Sequence, residues 1–398
     1  MSITLLGTGS GDAATLTSAA EQALRAAGCI IGAKRLLAQL PEGCTQNRIA
    51  ATKPADICRA LEENQNVLCV VAYSGDSGFY SGCRSLLPLL RDRAVTVLPG
   101  ISSVQLLAAA LGRPWQDWNL VSAHGVDCNA VAAVMQGKPA FFLTGGTLGP
   151  AALCAQLTEA GLGSLAVTVG EDLGTPAQAI TESTAEECAG KNFSSLSVLL
   201  AEPAPQGPRH TPGWPDAWFI RGQVPMTKQL VRAAVLASLA PAPDATVWDV
   251  GAGTGSVSVE LAAVAGQGKV FAVECVPEAC DLIEANRRKF GAWNLRVIRG
   301  RAPEALADLP TPDAVFIGGT RGGMDAIVDT VLARNPAARL CITAIALESV
   351  TAAMQALEKH GIEPCMTQLA VSTAKPTGHV HMLMAQNPIF VITGNCDD

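Results

Sequence analysis

The residues best placed to do chemistry are Gly251, Gly253 and Gly255, which stand between Asp249 and a helical run, and Glu274, which ends the next apolar stretch. In "WDVGAGTGSVSVE" (248–260) a short strand turns through three glycines into a helix. Glycines accept positive φ and let a ligand approach the backbone, and the first helical N–H groups point at whatever the loop holds. Glu274, closing "KVFAVE", is placed to accept hydrogen bonds from both hydroxyls of a ribose. Asp249 is placed to take an amino group, as a cofactor bearing an amino acid would require. A dinucleotide loop, G-x-G-x-x-G, needs its third glycine one position later, where Ser256 stands. The compressed G-x-G-x-G spacing suits a ligand without a pyrophosphate. The acid does not discriminate by itself, so a nicotinamide-dependent oxidoreductase is the rival reading.

Loops of this kind need strands and helices to aim them, and the chain supplies two series. "EPAPQGPRHTPGWPD" (202–216) has five prolines, two glycines and no periodicity, so it reads as a break. The expected organisation is a first domain over 1–203, a linker over 204–216 and a second domain over 217–398. On each side strand, glycine turn and helix alternate, which predicts α/β domains with mainly parallel sheets. "PCMTQLAVSTA" and "HMLMAQNPIFVITG" read as two closing strands, an antiparallel hairpin at the C-terminal end of a mixed sheet.

Bulk properties narrow the function. At 398 residues, two or three domains are expected. A net charge of −7 argues against general nucleic-acid binding, which needs a basic excess. No apolar run reaches the length of a membrane span, and "MSITLLGTGSGD" lacks a signal peptide's basic start, so a cytoplasmic protein is expected. None of the 13 cysteines forms a Cys-x-x-Cys pair, which argues against zinc and a disulfide framework. His379 and His381 alternate and so would share one face of a strand; a packed position is favoured over a metal or acid/base pair. The basic run Arg287, Arg288 and Lys289 reads as the charged end of a helix.

The glycine loop with its downstream acid resembles the class I S-adenosylmethionine methyltransferases. "WFIRGQVPMTKQLVRAAVLASL", "RGRAPEALADLPTPDAVFIGG" and "GHVHMLMAQNPIFVITG" extend the likeness to the decarboxylating methyltransferases of corrin biosynthesis. In the first half, "LLGTGSGD", "SGDSGFYSG" and "LPGISSVQLLAAALGRPWQD" resemble the tetrapyrrole methylases, whose class III fold has two lobes. The resemblance implies a two-lobed class III domain fused to a Rossmann-like class I domain. It implies methylation of a precorrin macrocycle at C5 by the first domain and at C15 by the second, with loss of carbon dioxide from the ring C acetate. S-adenosylmethionine is the cofactor implied, a tetrapyrrole the substrate, and a homo-oligomer the assembly, with no nucleic acid, membrane or metal.

Site residues follow from the same likeness. In the second domain Gly251, Gly253 and Gly255 would cradle the methionine part of the donor, with Glu274 on the ribose. Arg301 and Ala302 would border the adenine, while Gly318 and Gly319 would line the substrate side. Pro225, Met226, Thr227 and Lys228 would close the pocket, with Lys228 and Arg321 facing substrate carboxylates. Thr343 stands where the family usually has Asn, which puts a polar role there in doubt. In the first domain Gly7, Gly9, Gly11, Gly75, Asp76, Phe79, Ser102, Ser103 and Thr144 would hold the donor, and His124 would touch substrate. Ser10 and Ser77 replace family prolines, which removes a fixed φ and predicts looser loops. An inactive first domain serving as a scaffold is the second rival reading.

Overall fold

The computed structural model describes residues 2–207 and 211–396. These fall into two compact units: the first takes in the chain up to Ala130 with Lys138–Glu159 and Gly163–Pro203, and the second the remainder. Residues 208–210 of the expected linker lie outside the described residues.

The first unit holds two five-stranded sheets. In one the spatial order is Arg48–Ala50, Cys29–Gly32, Cys69–Tyr73, Ser2–Gly7, Ala94–Leu98, and every pair is parallel. The inner strands read as unbroken apolar runs because both faces are covered. Ile3, Leu5, Ile31 and Val71 pack on one side, and Leu6, Ile30 and Val70 on the other. The second sheet runs Asn119–Ser122, Ala140–Leu143, Ser197–Ala201, Ala166–Glu171, Ala179–Thr184. Only its first pair is parallel. The expectation of mainly parallel sheets fails in this lobe, because connections such as 172–178 are too short for the crossover that parallel strands need.

The second unit is built on a seven-stranded sheet in the order Leu295–Arg299, Lys269–Glu274, Thr246–Val250, Ala314–Ile317, Arg339–Ala344, Ile389–Gly394, Cys365–Leu369. The first five are parallel, and Ile389–Gly394 is antiparallel to both its neighbours. From Thr246–Val250 the chain builds outward to one side and then returns to place Ala314–Ile317 on the other. This reversal opens a crevice at the strands' carboxyl ends, where open α/β sheets bind ligands.

The two closing strands expected from the sequence are four. Cys365–Leu369 and Ile389–Gly394 join the large sheet, while Ser372–Thr377 and Val380–Ala385 form a separate two-stranded antiparallel hairpin. Gly378, at φ 61°, makes its turn. His379 falls in that turn and not on the strand with His381, so the two do not share a strand face; both are exposed. Among the described residues no group of three or more His, Cys, Asp or Glu is placed to hold a metal. No described helix is long and apolar enough to cross a membrane. All the cysteines are free, and most are buried.

Candidate active site

A cavity of about 1070 Å³ opens over the glycine loop of the second unit. Gly251, Gly253, Glu274, Arg301, Ala302, Gly318 and Gly319 all line it, as do Thr227, Lys228, Arg321 and Thr343. Gly251 has φ 73° and a close neighbour: a Cβ there would overlap the Gly319 carbonyl. The loops after two adjacent strands thus meet backbone to backbone, which leaves their peptide groups open to a ligand. Gly255 has another task and does not line the cavity. It caps Ser256–Val264 at φ 74°, and a Cβ there would come within 2.9 Å of Ile283. It lets helix Pro277–Lys289 pack against the loop.

Glu274 is almost fully buried, and its carboxylate is held by backbone. One oxygen accepts from Gly253 N at 3.0 Å, the other from Cys275 N at 2.8 Å and Val276 N at 2.9 Å. The expectation for Asp249 does not hold. Its side chain lies behind the loop, fully buried and off the cavity, where Oδ2 accepts from the Ser258 hydroxyl and Oδ1 has no partner. Burial pushes its carboxyl up to about 7, and the nearby charge of Glu274 adds to the shift. A group in that setting is not free to receive a cofactor amine.

Residues 223–228 line the cavity beside the loop and end a strap, residues 213–228, whose start reads as linker in the sequence. Trp214 and Phe219 are buried and pack tilted against Phe290, at centroid distances of 5.0 and 4.7 Å. Arg232, with no exposed surface, donates from Nε to Glu260 at 2.7 Å and from Nη1 to Asp216 at 2.8 Å. It also donates to the carbonyls of Thr227 and Trp214. Glu260 in turn accepts from the backbone N–H groups of Gly213 and Trp214. Arg232 and Glu260 were missed from sequence. The available signal was a lone cation in "LVRAAVLASL" and a lone anion in "VSVELAAVA", two apolar helices that can bury a charge only by pairing it.

Three cations stand in the cavity wall. Lys228 and Arg321 are exposed and make no ion pair among the described residues, and Arg301 braces the Arg321 carbonyl at 3.3 Å. Ile345 and Leu347, 62% and 68% exposed, add apolar surface, Ile345 in the wall and Leu347 just beyond it. The basic run at the end of Pro277–Lys289 is only partly solvated. Arg288 pairs with Glu284 at the surface, whereas Arg287 is buried, with its guanidinium 5.6 Å from the Trp293 ring.

In the first unit two groups of expected residues form. Gly9 and Gly75 exchange backbone hydrogen bonds at 3.1 and 2.7 Å, and a Cβ on Gly7 would overlap the Gly75 carbonyl. Asp76 accepts from Gly100 N at 2.9 Å and Gly78 N at 2.8 Å. Ser102 caps the helix that Ser103 begins. Gly11 turns away, toward Gln39. The second group is Thr144 and His124, whose Nδ1 lies 3.1 Å from the Thr144 carbonyl. A carbonyl only accepts, so Nδ1 carries a proton. Phe79 packs against Phe141, in the core of the second lobe.

The expectation of looser loops at Ser10 and Ser77 is corrected. The Ser10 hydroxyl donates to Gly174 O at 3.0 Å and accepts from Asp12 N, while Ser77 donates to Leu98 O at 3.0 Å. Side-chain tethers stand where proline would have fixed φ.

Fold and site together define a two-domain methyltransferase. A family profile described as tetrapyrrole (corrin/porphyrin) methylases matches residues 2–189, and one described as precorrin methyltransferase domain matches 216–394. The chain belongs to the precorrin-6Y C(5,15)-methyltransferase (decarboxylating) family. A member from Sinorhizobium sp. is 32% identical over 339 residues, 83% of this chain and 81% of its own. A probable cobalt-precorrin-6B C(15)-methyltransferase (decarboxylating) from Pyrobaculum calidifontis is 40% identical over 189 residues, 47% of this chain and 97% of its own. Among solved structures, a precorrin-6y C5,15-methyltransferase from Geobacter metallireducens is 35% identical, covering 47% of this chain and 99% of its own with a TM-score of 0.45.

Proposed function

We propose that the chain transfers methyl groups from S-adenosylmethionine to a precorrin macrocycle, at C15 in the second unit and C5 in the first, and removes carbon dioxide from the ring C acetate. The observation that carries this reading is the cavity over the glycine loop, in a chain that aligns with decarboxylating precorrin methyltransferases along most of its length.

The residues present fit that donor. Gly251 and Gly253 offer open backbone, and Glu274, beyond its three N–H bonds, keeps an acceptor site on the oxygen that holds Gly253 N for a ribose hydroxyl. At about 1070 Å³ the cavity lies at the top of the usual ligand-pocket range of roughly 300–1,000 Å³, which leaves room for the edge of a large ring. When bound, S-adenosylmethionine supplies an electrophilic methyl group on a sulfonium. The chain's own task is to hold a ring carbon in line with it, and positioning of this kind contributes about 7–11 kcal/mol in favourable cases. Lys228 and Arg321 pair with the macrocycle's carboxylates, Arg301 and Ala302 border the donor's adenine, and Ile345 and Leu347 meet the macrocycle's face. In the decarboxylation the bond to the carboxylate breaks, its electron pair enters the ring and carbon dioxide leaves. The protein has to orient that carboxylate.

The tethers at Ser10 and Ser77 support an active first unit over a scaffold, with the glycine pair and Asp76 on the donor and His124 toward substrate. Copies of the chain associate through the exposed hairpin of the second unit. The test is to incubate the protein with a precorrin precursor and isotopically labelled S-adenosylmethionine and weigh the product. A gain of two methyl groups and loss of one carbon dioxide is expected. A single methyl group removes the first unit from the reaction, and a chain that binds a nicotinamide nucleotide in place of S-adenosylmethionine overturns the reading.

A further inference from the structure

The strap and the glycine loop both wall the cavity, and a third element holds both. Asn286, in helix Pro277–Lys289, has no exposed surface. Its Oδ1 accepts from Ile220 N at 2.8 Å, and its Nδ2 donates to Ile220 O at 3.0 Å and to Thr254 O at 3.0 Å. Ile220 leads into the strap segment 223–228 that lines the cavity, and Thr254 lies between Gly253 and Gly255. One carboxamide therefore spends both N–H groups and its oxygen on joining the two walls. The walls are close where they meet, since a Cβ on Gly253 would lie 3.1 Å from Pro225 O.

We infer that Asn286 is a positioning residue that sets the strap against the glycine loop and so fixes the width of the donor's end of the cavity. The inference rests on the proposed donor. Asn286 does not line the cavity and acts through the backbone of Ile220 and Thr254. Between those anchors and Arg232, which holds the Thr227 carbonyl, residues 221–226 are largely exposed and have one further backbone tie to the same helix, a long bond from Gln223 N to Glu278 at 3.3 Å, so the strap's fit over the loop depends mainly on its buried anchors. A buried amide left without its partners loses both the bonds and the geometry they impose.

The second unit contains a control. Asn294 is also buried, and its Nδ2 donates to two carbonyls, Ala262 O at 3.0 Å and Ala265 O at 2.8 Å. Neither of those residues lines the cavity. Asn286→Asp and Asn294→Asp each set an oxygen against two carbonyls, and the second is the harsher change, because the Asn294 Oδ1 has no partner whereas the Asn286 Oδ1 keeps Ile220 N.

The experiment is calorimetric titration of the full chain with S-adenosylmethionine, with thermal melting of each variant alongside. Asn286→Asp is expected to raise the Kd of one site at least tenfold, while Asn294→Asp, with an equal or larger fall in melting temperature, stays within twofold of wild type. Equal weakening in both variants, or unchanged affinity in Asn286→Asp, overturns the assignment. Ile220→Pro serves if Asn286→Asp does not fold. It removes the N–H that Asn286 accepts and exchanges a 39% exposed side chain for a ring, and Phe219 before it already has the extended backbone that proline requires. A threefold or greater rise in Kd is expected there, and unchanged affinity overturns the inference. A wild-type chain that binds no S-adenosylmethionine overturns both this inference and the function it rests on, whereas a wild type that binds with an indifferent Asn286→Asp overturns this inference alone.

Discussion

Arg232 and Glu260 meet at 2.7 Å inside the second unit, at 0% and 1% exposure. Neither touches the cavity, yet together they hold Gly213, Trp214, Asp216 and Thr227, the start and end of the strap. Removing one partner of a buried pair leaves the other charged and desolvated. Arg232→Met is therefore expected to destabilise the second unit by about 3–5 kcal/mol. Arg232→Lys keeps the charge but loses the planar fork that reaches several acceptors, so it falls between. Scanning calorimetry of the full chain checks this, and an unchanged transition in Arg232→Met refutes it.

Asp249 makes stability depend on pH. Its ordinary value is 3.8 and burial lifts it to about 7 in the folded chain. Between these values the native state keeps a proton that the unfolded chain has released, so stability falls as pH rises through the window and the loss is complete above it. An amide in place of this carboxyl does not titrate and keeps an oxygen for the Ser258 hydroxyl. Asp249→Asn is thus expected to gain stability over wild type on going from about pH 4 to about pH 8, by on the order of 2–4 kcal/mol. Parallel melting curves of the two proteins across that range refute the assignment.

The parts of the site that could be read from sequence are those with local causes. Gly251 and Gly253 announce a backbone that something must approach, and Glu274 ends a strand beside them. Asp249 could not be placed, because Trp248, Asp249 and Val250 are all buried in a sheet covered on both faces, where alternation gives no direction. Asn286 was invisible in "DLIEANRRK", where polar neighbours hide a buried amide whose partners lie 32 and 66 positions away. The first unit's second lobe misled for another reason: apolar strand and glycine turn look alike in parallel and antiparallel sheets, and only connection length separates them. His379 read as strand because a tight turn at Gly378 needs a single glycine to form.

Lys228 and Arg321 provide a direct probe of the substrate. Both are exposed in the wall of a cavity that Glu274 and Glu278 also line, on a chain of net charge −7, so any polycarboxylate must find its cations locally. Charge-assisted hydrogen bonds to such cations contribute about 1.5–3 kcal/mol each. Lys228→Ala and Arg321→Ala are each expected to weaken macrocycle binding about tenfold or more, with donor affinity unchanged and a weaker effect at high salt. Equilibrium binding measures this, and unchanged macrocycle affinity in both variants ends the proposal.

The hairpin of Ser372–Thr377 and Val380–Ala385 is exposed on both faces. Val380, Met382 and Met384 alternate along one face at 62%, 52% and 51% exposure, and Leu383 stands on the other at 74%. A lone two-stranded hairpin is marginal in water, and a surface this apolar marks a place where something docks. Its only charged side chain is Lys375, and interface cores are depleted of charge, so the partner that suits it best is equally apolar: the same hairpin on another copy. Val380→Lys with Met382→Lys is expected to reduce the assembly to single chains, measured by light scattering, while leaving the melting of the first unit unchanged. A wild type that already scatters as one chain, or a double variant that keeps the wild-type mass, rules the hairpin out as the assembly contact.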